Sequence, residues 1–572
     1  MLLALILIPL LTAAVVPLAP KRSVGQVALL GTLAALALAA YLTLGRDWSV
    51  PDAGRDLAVS APWMPELGLV FKLGADGLSM SLVALTALLG PICVACSFTA
   101  VTQRVRTYYG WLLVLQAAMT GVFLARDMIL FYVFFEFTLV PMFVLISLYG
   151  STNRKAAAVK FFLYPFTGSV IALAGIVYAA WFNANRVDAA DPIAKALVAA
   201  SPDLVLGRWT FDLASLQASA SRFMSAETQW WVFLALLCGF AVKVPLVPVH
   251  TWLPLAHTEA PTAGSVVLAG VLLKLGTYGL LKIAIGLCPV GAMAWAPTIG
   301  LLCLLGIVGA GLICWVQTDV KKLVAYSSVA HLGFCVLGLF AFNEAGVQGS
   351  VLYMINHGLS TGALFLCIGM IYERYHTRSM REIGGLAARM PVWATFMVFF
   401  TMASVGLPGL NGFVSEFLCL LGAFQAGDVW RSHPLTVGGT PGTLGPIVAA
   451  IAGTGMIIAA MYLLYMLGHV VFGPLREPHH DDHHGAPAGA HDAEPRLPAD
   501  LTAREIGVLA PLAVLCVVLG VYPKPLMQMV DPGVKEVIAA VEGARSQRPI
   551  TRPVAEGDAG AAPALVTQEA AR

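Results

Sequence analysis

Six residues that can take up or release a proton lie inside long apolar runs of this sequence. They are two glutamates, two lysines and two histidines: Glu136, Glu416, Lys243, Lys274, His331 and His357. A charged side chain at the centre of a membrane costs about 2.5–3.5 kcal/mol even on a lenient scale. A lysine in such a place can become neutral, and a nearby carboxylate restores its charge, whereas an arginine does not release its proton. We therefore predict that the six residues form a path for protons or ions.

Two other interpretations of these residues remain to be weighed. The four charges could be buried ion pairs that only hold helices together, but apolar residues often serve that purpose equally well. The two histidines could be ordinary core residues or haem ligands. The sequence has no C-x-x-C-H motif and no clear pairing of the histidines that would favour haem.

Two of the six residues lie in apolar runs that are too long and too interrupted to be single membrane helices. Lys243 stands in the run 230–256, two residues before Pro245, and Glu416 stands in the run 392–423, after Pro408. Each run is longer than a membrane core of about 30 Å requires. Proline has no N–H, so carbonyls one turn earlier lose their partners. We expect a broken helix at Pro245 and another at Pro408.

The composition indicates an all-α membrane protein. Of 572 residues, 58% are hydrophobic and only 12% are charged, about half the charged fraction of a typical soluble domain. The apolar residues form runs of about 18–30 residues, which predicts a polytopic protein of about fourteen transmembrane helices. The net charge of +2 offers no case for nucleic-acid binding.

The two broken spans are the seventh and the twelfth, five spans apart. Interrupted spans at matching positions predict internal repeats, and an odd number of spans per repeat predicts that the two repeats are inverted. The predicted organisation is an N-terminal part with an external loop (1–109), two five-helix repeats (110–287 and 288–472), a polar His-rich loop (473–505), and a last span with a weakly ordered tail (506–572).

Lysine and arginine concentrate in the loops that follow odd-numbered spans, for example at Arg154 and Lys155 and at Lys321 and Lys322. Short loops after even-numbered spans hold almost none. The positive-inside rule therefore places the odd loops in the cytoplasm and both termini on the opposite side of the membrane.

Several long motifs resemble a known family. The segments 243–279 (KVPLVPVHTWLPLAHTEAPTAGSVVLAGVLLKLGTYG) and 317–334 (QTDVKKLVAYSSVAHLGF) resemble the antiporter-like, proton-translocating subunits of respiratory complex I and of multisubunit Na⁺/H⁺ antiporters. Segments 74–89 and 160–169 fit as well. Within the family, Glu416 indicates the M type (chain 4), because the L and N types typically carry lysine there.

The resemblance implies roles for the six residues. Glu136 and Lys243 match a coupled pair, Lys274 matches a central lysine, His331 and His357 match groups between two half-channels, and Glu416 matches the terminal group at the outlet. It also implies a multi-pass protein of the bacterial inner membrane, with the L and N subunits and the lipid bilayer as partners. Such a chain is part of an enzyme, a proton-translocating NADH:quinone oxidoreductase. The complex as a whole uses FMN, iron–sulfur clusters, NADH and quinone, and we expect no cofactor or metal in this chain.

Some features fall outside that pattern. The segment 479–491 (HHDDHHGAPAGAH) is a solvated loop or an adventitious Zn²⁺ or Ni²⁺ binder. For His250, His257 and Glu259, which lie near the predicted cytoplasmic end of the seventh span, we expect a structural or channel-mouth role. Two alternative functions stay open at this point: a subunit of a Na⁺/H⁺ antiporter without redox chemistry, and a structural membrane scaffold.

Overall fold

The computed structural model describes residues 1–426, 444–478 and 499–547. Within these ranges, eleven helices are long and apolar enough to cross a membrane, and two shorter apolar helices, Leu2–Leu18 and Pro391–Val405, accompany them. The all-α membrane architecture is therefore confirmed. The count of fourteen spans, the inverted repeats and the predicted domain boundaries remain predictions.

The helices of the first half run from α1 to α11. Their bounds are α1 Leu2–Val15, α2 Val24–Leu44, α3 Gly77–Ala100, α4 Val105–Leu124, α5 Met128–Phe137, α6 Leu139–Tyr149, α7 Arg154–Arg186, α8 Pro192–Ala200, α9 Leu213–Phe223, α10 Ala226–Lys243 and α11 Trp252–Glu259. The loop between α2 and α3 holds an antiparallel hairpin of β1 (Val59–Met64) and β2 (Leu69–Leu73). This hairpin is a small exception to the all-α prediction.

The second half continues with helices α12 to α20. Their bounds are α12 Thr262–Ile285, α13 Pro289–Trp315, α14 Val320–Leu339, α15 Glu344–Tyr375, α16 Pro391–Val405, α17 Asn411–Gln425, α18 Leu444–Val470, α19 Ala503–Val521 and α20 Lys524–Gln547. Helices α12 and α15 lie at the centre, because every residue in their most apolar stretch is buried. Such complete burial is what shields charged groups on these two helices from lipid.

The predicted span 128–149 is interrupted in a way that the sequence analysis did not anticipate. Helix α5 ends at Phe137 and α6 begins at Leu139, with Thr138 between them. Pro141 explains the interruption, because it has no N–H for the carbonyl of Phe137. The break places Glu136 at the end of a helix rather than in its middle.

The C-terminal tail contains a helix, α20, that the sequence analysis did not predict. Helix α20 packs against α3, α13 and α15. Glu536 on this helix forms a 2.7 Å ion pair with Nζ of Lys282, which also lies 3.1 Å from the carboxylate of Asp76. Burial opposes ionisation of Asp76, but Lys282 and then Arg126 outweigh it and hold the pKa of Asp76 below its ordinary value. These ion pairs attach α20 to one end of the helices. The positive-inside rule predicts that this end lies on the external side of the membrane.

Candidate functional site

Lys274 and His357 form the centre of the candidate site. Lys274 on α12 and His357 on α15 are both buried, and Nζ of Lys274 lies 2.7 Å from Nδ1 of His357. Lys274 stands two residues after the end of a π-helical segment, Leu268–Leu272, and also donates to the carbonyl of Ala269 within that segment. Such wide turns occur frequently at functional sites. With the lysine ammonium as donor, Nδ1 of His357 is the acceptor and its Nε2 carries the proton.

A second hydrogen-bonded series joins His331 to Glu416 through Tyr353. The hydroxyl of Tyr353 donates to Oε1 of Glu416 at 2.7 Å and lies 2.7 Å from Nδ1 of His331. Because the Tyr353 proton points at the carboxylate, its oxygen accepts from Nδ1–H of His331. His331 is thereby assigned the tautomer in which Nε2 is an acceptor. His331 and Glu416 are also 3.5 Å apart directly.

A small cavity of about 10 Å³ separates the two series. Nε2 of His357, Nε2 of His331, Oε2 of Glu416 and Oγ of Ser404 belong to residues that line it, and none has a hydrogen-bond partner among the described residues. The two imidazole rings are 5.9 Å apart. The volume suits about one water molecule, which needs two to four polar partners. The cavity offers both a donor, on His357, and an acceptor, on His331.

Lys243 and Glu136 form a looser pair than the resemblance implies. Nζ of Lys243 donates to Oγ1 of Thr138 at 3.2 Å and lies 4.6 Å from the centre of the Phe135 ring. Within the part of the chain that the structure describes, no ion pair shorter than 4.0 Å joins Lys243 to Glu136. The two residues interact electrostatically without contact. Lys243 is buried, whereas Glu136 is only partly so.

The predicted break at Pro245 is confirmed, since α10 ends at Lys243 and α11 begins at Trp252. Two carbonyls that the proline region would leave unpaired find other donors. The carbonyl of Val242 accepts from the indole N–H of Trp252 at 2.9 Å, and that of Ala241 accepts from the N–H of Leu246. The break thus leaves Lys243 at a helix end with its backbone satisfied, as membrane burial requires.

Close packing brings Lys243 to the central helix. At Gly276 on α12, an added Cβ would lie 3.1 Å from Cβ of Lys243 and 2.9 Å from the backbone of Val244. A glycine at this position is what allows the broken helix to approach α12 two residues beyond Lys274. The structure therefore places Lys243 beside the helix that carries the central lysine.

The predicted break at Pro408 is also confirmed. Helix α16 ends at Val405, Gly406 takes the left-handed conformation with φ of +83°, and α17 begins at Asn411. The side chains of Asn356 and Asn411 each donate to the other's carbonyl, at 2.8 Å and 3.2 Å. These bonds attach the broken segment to α15, so the break holds Glu416 against Tyr353.

Replacing Gly406 by alanine is expected to destabilise the site. The added Cβ would lie 2.5 Å from Oε2 of Glu416, and the left-handed backbone costs a residue other than glycine about 1–2 kcal/mol. We expect a lower melting temperature and slower proton pumping in the assembled complex. The matched control is Gly453→Ala on α18, where nothing lies within 4 Å of the new Cβ. Equal melting temperatures for both variants would contradict the steric role of Gly406.

Sequence reasoning missed Tyr353, Thr138 and Asn356. Tyr353 stands four residues before His357, so both side chains lie on one face of α15. That spacing was a signal that could have identified Tyr353. Thr138 and Asn356 had no comparable signal, since neutral polar residues are common in membrane helices.

Cys93 and Cys96, which form a C-x-x-C outside this site, are free thiols on α3. The His-rich segment 479–491 lies outside the described residues. Within the described ranges, no group of three or more His, Cys, Asp or Glu side chains could hold a metal ion.

The comparisons with known proteins agree with the geometry of the candidate site. Residues 125–439 match the family described as NADH:quinone oxidoreductase/Mrp antiporter, TM. The chain is 40% identical to NADH-quinone oxidoreductase subunit M of Rhodobacter capsulatus over 91% of both chains. It is 36% identical to NADH-ubiquinone oxidoreductase chain 4 of Arabidopsis thaliana, over 93% of this chain and 96% of that one. The chain belongs to the subunit M (chain 4) family of complex I.

Solved structures agree with membership of the subunit M family. A chain in respiratory complex I from Thermus thermophilus with bound NADH is 28% identical, with a TM-score of 0.77 over 95% of this chain and all of that chain (100%). A chain of the Mrp complex from Dietzia sp. is 21% identical, with a TM-score of 0.74 over 95% of this chain and 98% of that one. At that identity the Mrp likeness shows the fold alone.

Membership of this family decides between the functions left open above. As a subunit M chain, the protein is a membrane-arm, proton-translocating subunit of NADH:quinone oxidoreductase. The antiporter family is a more distant relative.

Proposed function

We propose that protons cross this subunit along Lys243, Lys274, His357, His331, Tyr353 and Glu416. The observation that carries the proposal is the pair of hydrogen-bonded series, Lys274 to His357 and His331 through Tyr353 to Glu416, which face one small polar cavity. All six of these residues are buried titratable groups, and buried titratable clusters are unusual unless they have a function.

The tautomers give the central step a direction. Nε2–H of His357 is a donor and Nε2 of His331 is an acceptor across the cavity, so one water molecule can accept from the first and donate to the second. When His331 gains a proton on Nε2, it can release the proton on Nδ1 to Tyr353, which passes its own proton to Glu416. Each group gains one proton and loses one, so the series returns to its starting charge after the proton leaves Glu416, and the two imidazoles then return to their starting tautomers.

Glu136 sets the charge of Lys243 in this scheme. The carboxylate is close enough to interact with Lys243 electrostatically, yet Thr138 and Phe135 hold the ammonium in the present arrangement. Movement of Glu136 toward Lys243 stabilises the charged lysine, and movement away favours release of its proton to Lys274. The break beside each residue gives both the freedom to move.

The chain acts as a translocase without a redox centre of its own. Electron transfer in other subunits, which would hold the FMN, the iron–sulfur clusters and the sites for NADH and quinone, supplies the free energy for the cycle. The described residues contain no cluster suited to a metal, and the buried cysteines are spread along the chain, with Cys303 and Cys314 sharing helix α13. The residues of the proposed route then couple to electron transfer in the other subunits only through their charges.

Two faces of the chain suit the neighbouring L and N subunits. Leu407, Pro408 and Gly409, in the non-helical segment between α16 and α17, are exposed. Irregular backbone at membrane depth does not face lipid, so another subunit must cover it. The second face surrounds the partly exposed Glu136, where Val133 and Phe137 are also exposed. The remaining apolar perimeter faces lipid of the bacterial inner membrane, with both termini on the periplasmic side.

Tyr353→Phe tests the route at its most specific link. The phenyl ring keeps the packing and removes the hydroxyl that joins His331 to Glu416. Only the direct 3.5 Å approach between these two residues remains. We expect proton pumping to slow by roughly tenfold, measured as the initial rate of NADH-driven membrane potential in vesicles, with assembly unchanged. Tyr41→Phe on α2, where the ring is exposed, is the control. Normal pumping by Tyr353→Phe would remove the hydroxyl from the route.

A further inference from the structure

A large polar cavity opens at the predicted cytoplasmic end of the helices. Its volume is about 870 Å³, and its walls include the ends of α3, α6, α11, α12 and α15. The charged groups at its wall include Glu259, Glu373, Lys321 and Arg378. Lys321 is the buried member and donates to the carbonyl of Ala260 at 2.5 Å. A cavity of this size and polarity admits water as far as the C-terminal end of α11.

His257 lies just behind this wall. It is completely buried, and neither ring nitrogen has a hydrogen-bond partner among the residues that the structure describes. The ring stacks flat on Phe365, with centroids 4.6 Å apart and planes 4° from parallel. A buried polar group without a partner costs about 1–3 kcal/mol. A phenylalanine or leucine would fill the same space without that cost, so packing alone does not account for the imidazole.

The position of His257 lies between the cavity and the central pair. It interacts electrostatically with Lys321 on the cavity side and with Lys274 on the central side, and also with His357. Its backbone carbonyl accepts a 3.0 Å hydrogen bond from Ser265, which fixes α11 against the start of α12. The charged groups that face His257 from other helices are Lys321 on α14 and Lys274 on α12. Glu259 is its acidic neighbour on α11.

We propose that His257 relays protons from the cytoplasmic cavity to Lys274 and His357. The ring accepts a proton on one nitrogen from water in the cavity and releases a proton from the other nitrogen toward the central pair. A half-turn of the ring about its Cβ–Cγ bond returns it to its starting tautomer, and the stacked Phe365 ring must move aside for that turn. This inference rests on the proposed function, since it gives the central part of that route, from Lys274 to Glu416, a supply of protons from the cytoplasmic side in addition to Lys243.

The test uses His257→Ala in the assembled complex within inside-out membrane vesicles. In these vesicles the cytoplasmic side faces the medium, so an added small molecule reaches the cavity. NADH-driven membrane potential is read with an anionic dye, because a weak base collapses a pH gradient but not a membrane potential. We expect the rate to fall about tenfold or more and to recover at least severalfold when imidazole is added. Thiazole, which has the same shape but holds no proton at neutral pH, should not restore it.

Two controls accompany the variant. Wild-type vesicles with imidazole report any direct effect of the base, and His469→Ala removes a histidine at the far end of α18 whose ring bonds to the carbonyl of Tyr465 and lies against the Tyr465 ring. If His257→Ala prevents assembly, His257→Gln preserves a polar side chain of similar size and is measured in the same way.

Three results would overturn the relay: unchanged pumping without His257, equal recovery with imidazole and thiazole, or no recovery with either. The Lys274→Met variant distinguishes a failure of the proposed route from a failure of the relay alone. If Lys274→Met pumps normally, the route itself is wrong. If Lys274→Met stops pumping while His257→Ala does not, only the relay is wrong.

Discussion

Complex I that carries Lys274→Met is expected to lose nearly all proton translocation through this subunit. Methionine matches the length of lysine but holds no proton, so the route is interrupted at its centre. The substitution also leaves Nδ1 of His357 and the carbonyl of Ala269 with one partner fewer. That loss costs about 1–3 kcal/mol per group, which is small beside the packing of the two central helices. We therefore expect assembly to survive.

The measurement is the initial rate of NADH-driven membrane potential, divided by the rate of quinone reduction in the same vesicles. We expect this ratio to fall, since turnover that continues would no longer be matched by charge movement. Lys322→Met is the matched control, because Lys322 is an exposed lysine near the start of α14. An unchanged ratio for Lys274→Met would show that the central lysine only holds α12 and α15 together.

Glu416→Gln is expected to reduce pumping to a similar extent. Glutamine keeps the volume of glutamate, and its amide oxygen can still accept from Tyr353. It cannot take up the proton that Tyr353 delivers, so the last transfer stops. Glu416→Asp retains a carboxylate on a shorter arm and should keep part of the rate.

Glu344→Gln, an exposed carboxylate at the start of α15, controls for the change of charge. The double variant of Lys274→Met and Glu416→Gln should pump no worse than either single variant, because both interrupt one route. Additive losses in the double variant would indicate two separate paths and would contradict the single series.

The sequence alone was sufficient for the membrane architecture and for selecting most residues of the candidate site. Hydrophobic runs, prolines and glycines act locally, so the broken helices at Pro245 and Pro408 could be predicted without coordinates. An ionisable residue in an apolar run carries a large energetic cost wherever it packs. For that reason Lys243, Lys274, His331, His357 and Glu416 could be selected before their partners were known.

Other features depended on which helices meet, and these only the tertiary structure decided. Tyr353 joins His331 to Glu416 because α14, α15 and α17 converge. Glu136 makes no contact with Lys243, because the lysine ammonium donates to Thr138 and lies over the ring of Phe135 instead. A hydropathy pattern reports how costly a charge is, but the distance to its partner is set by packing between segments far apart in the chain.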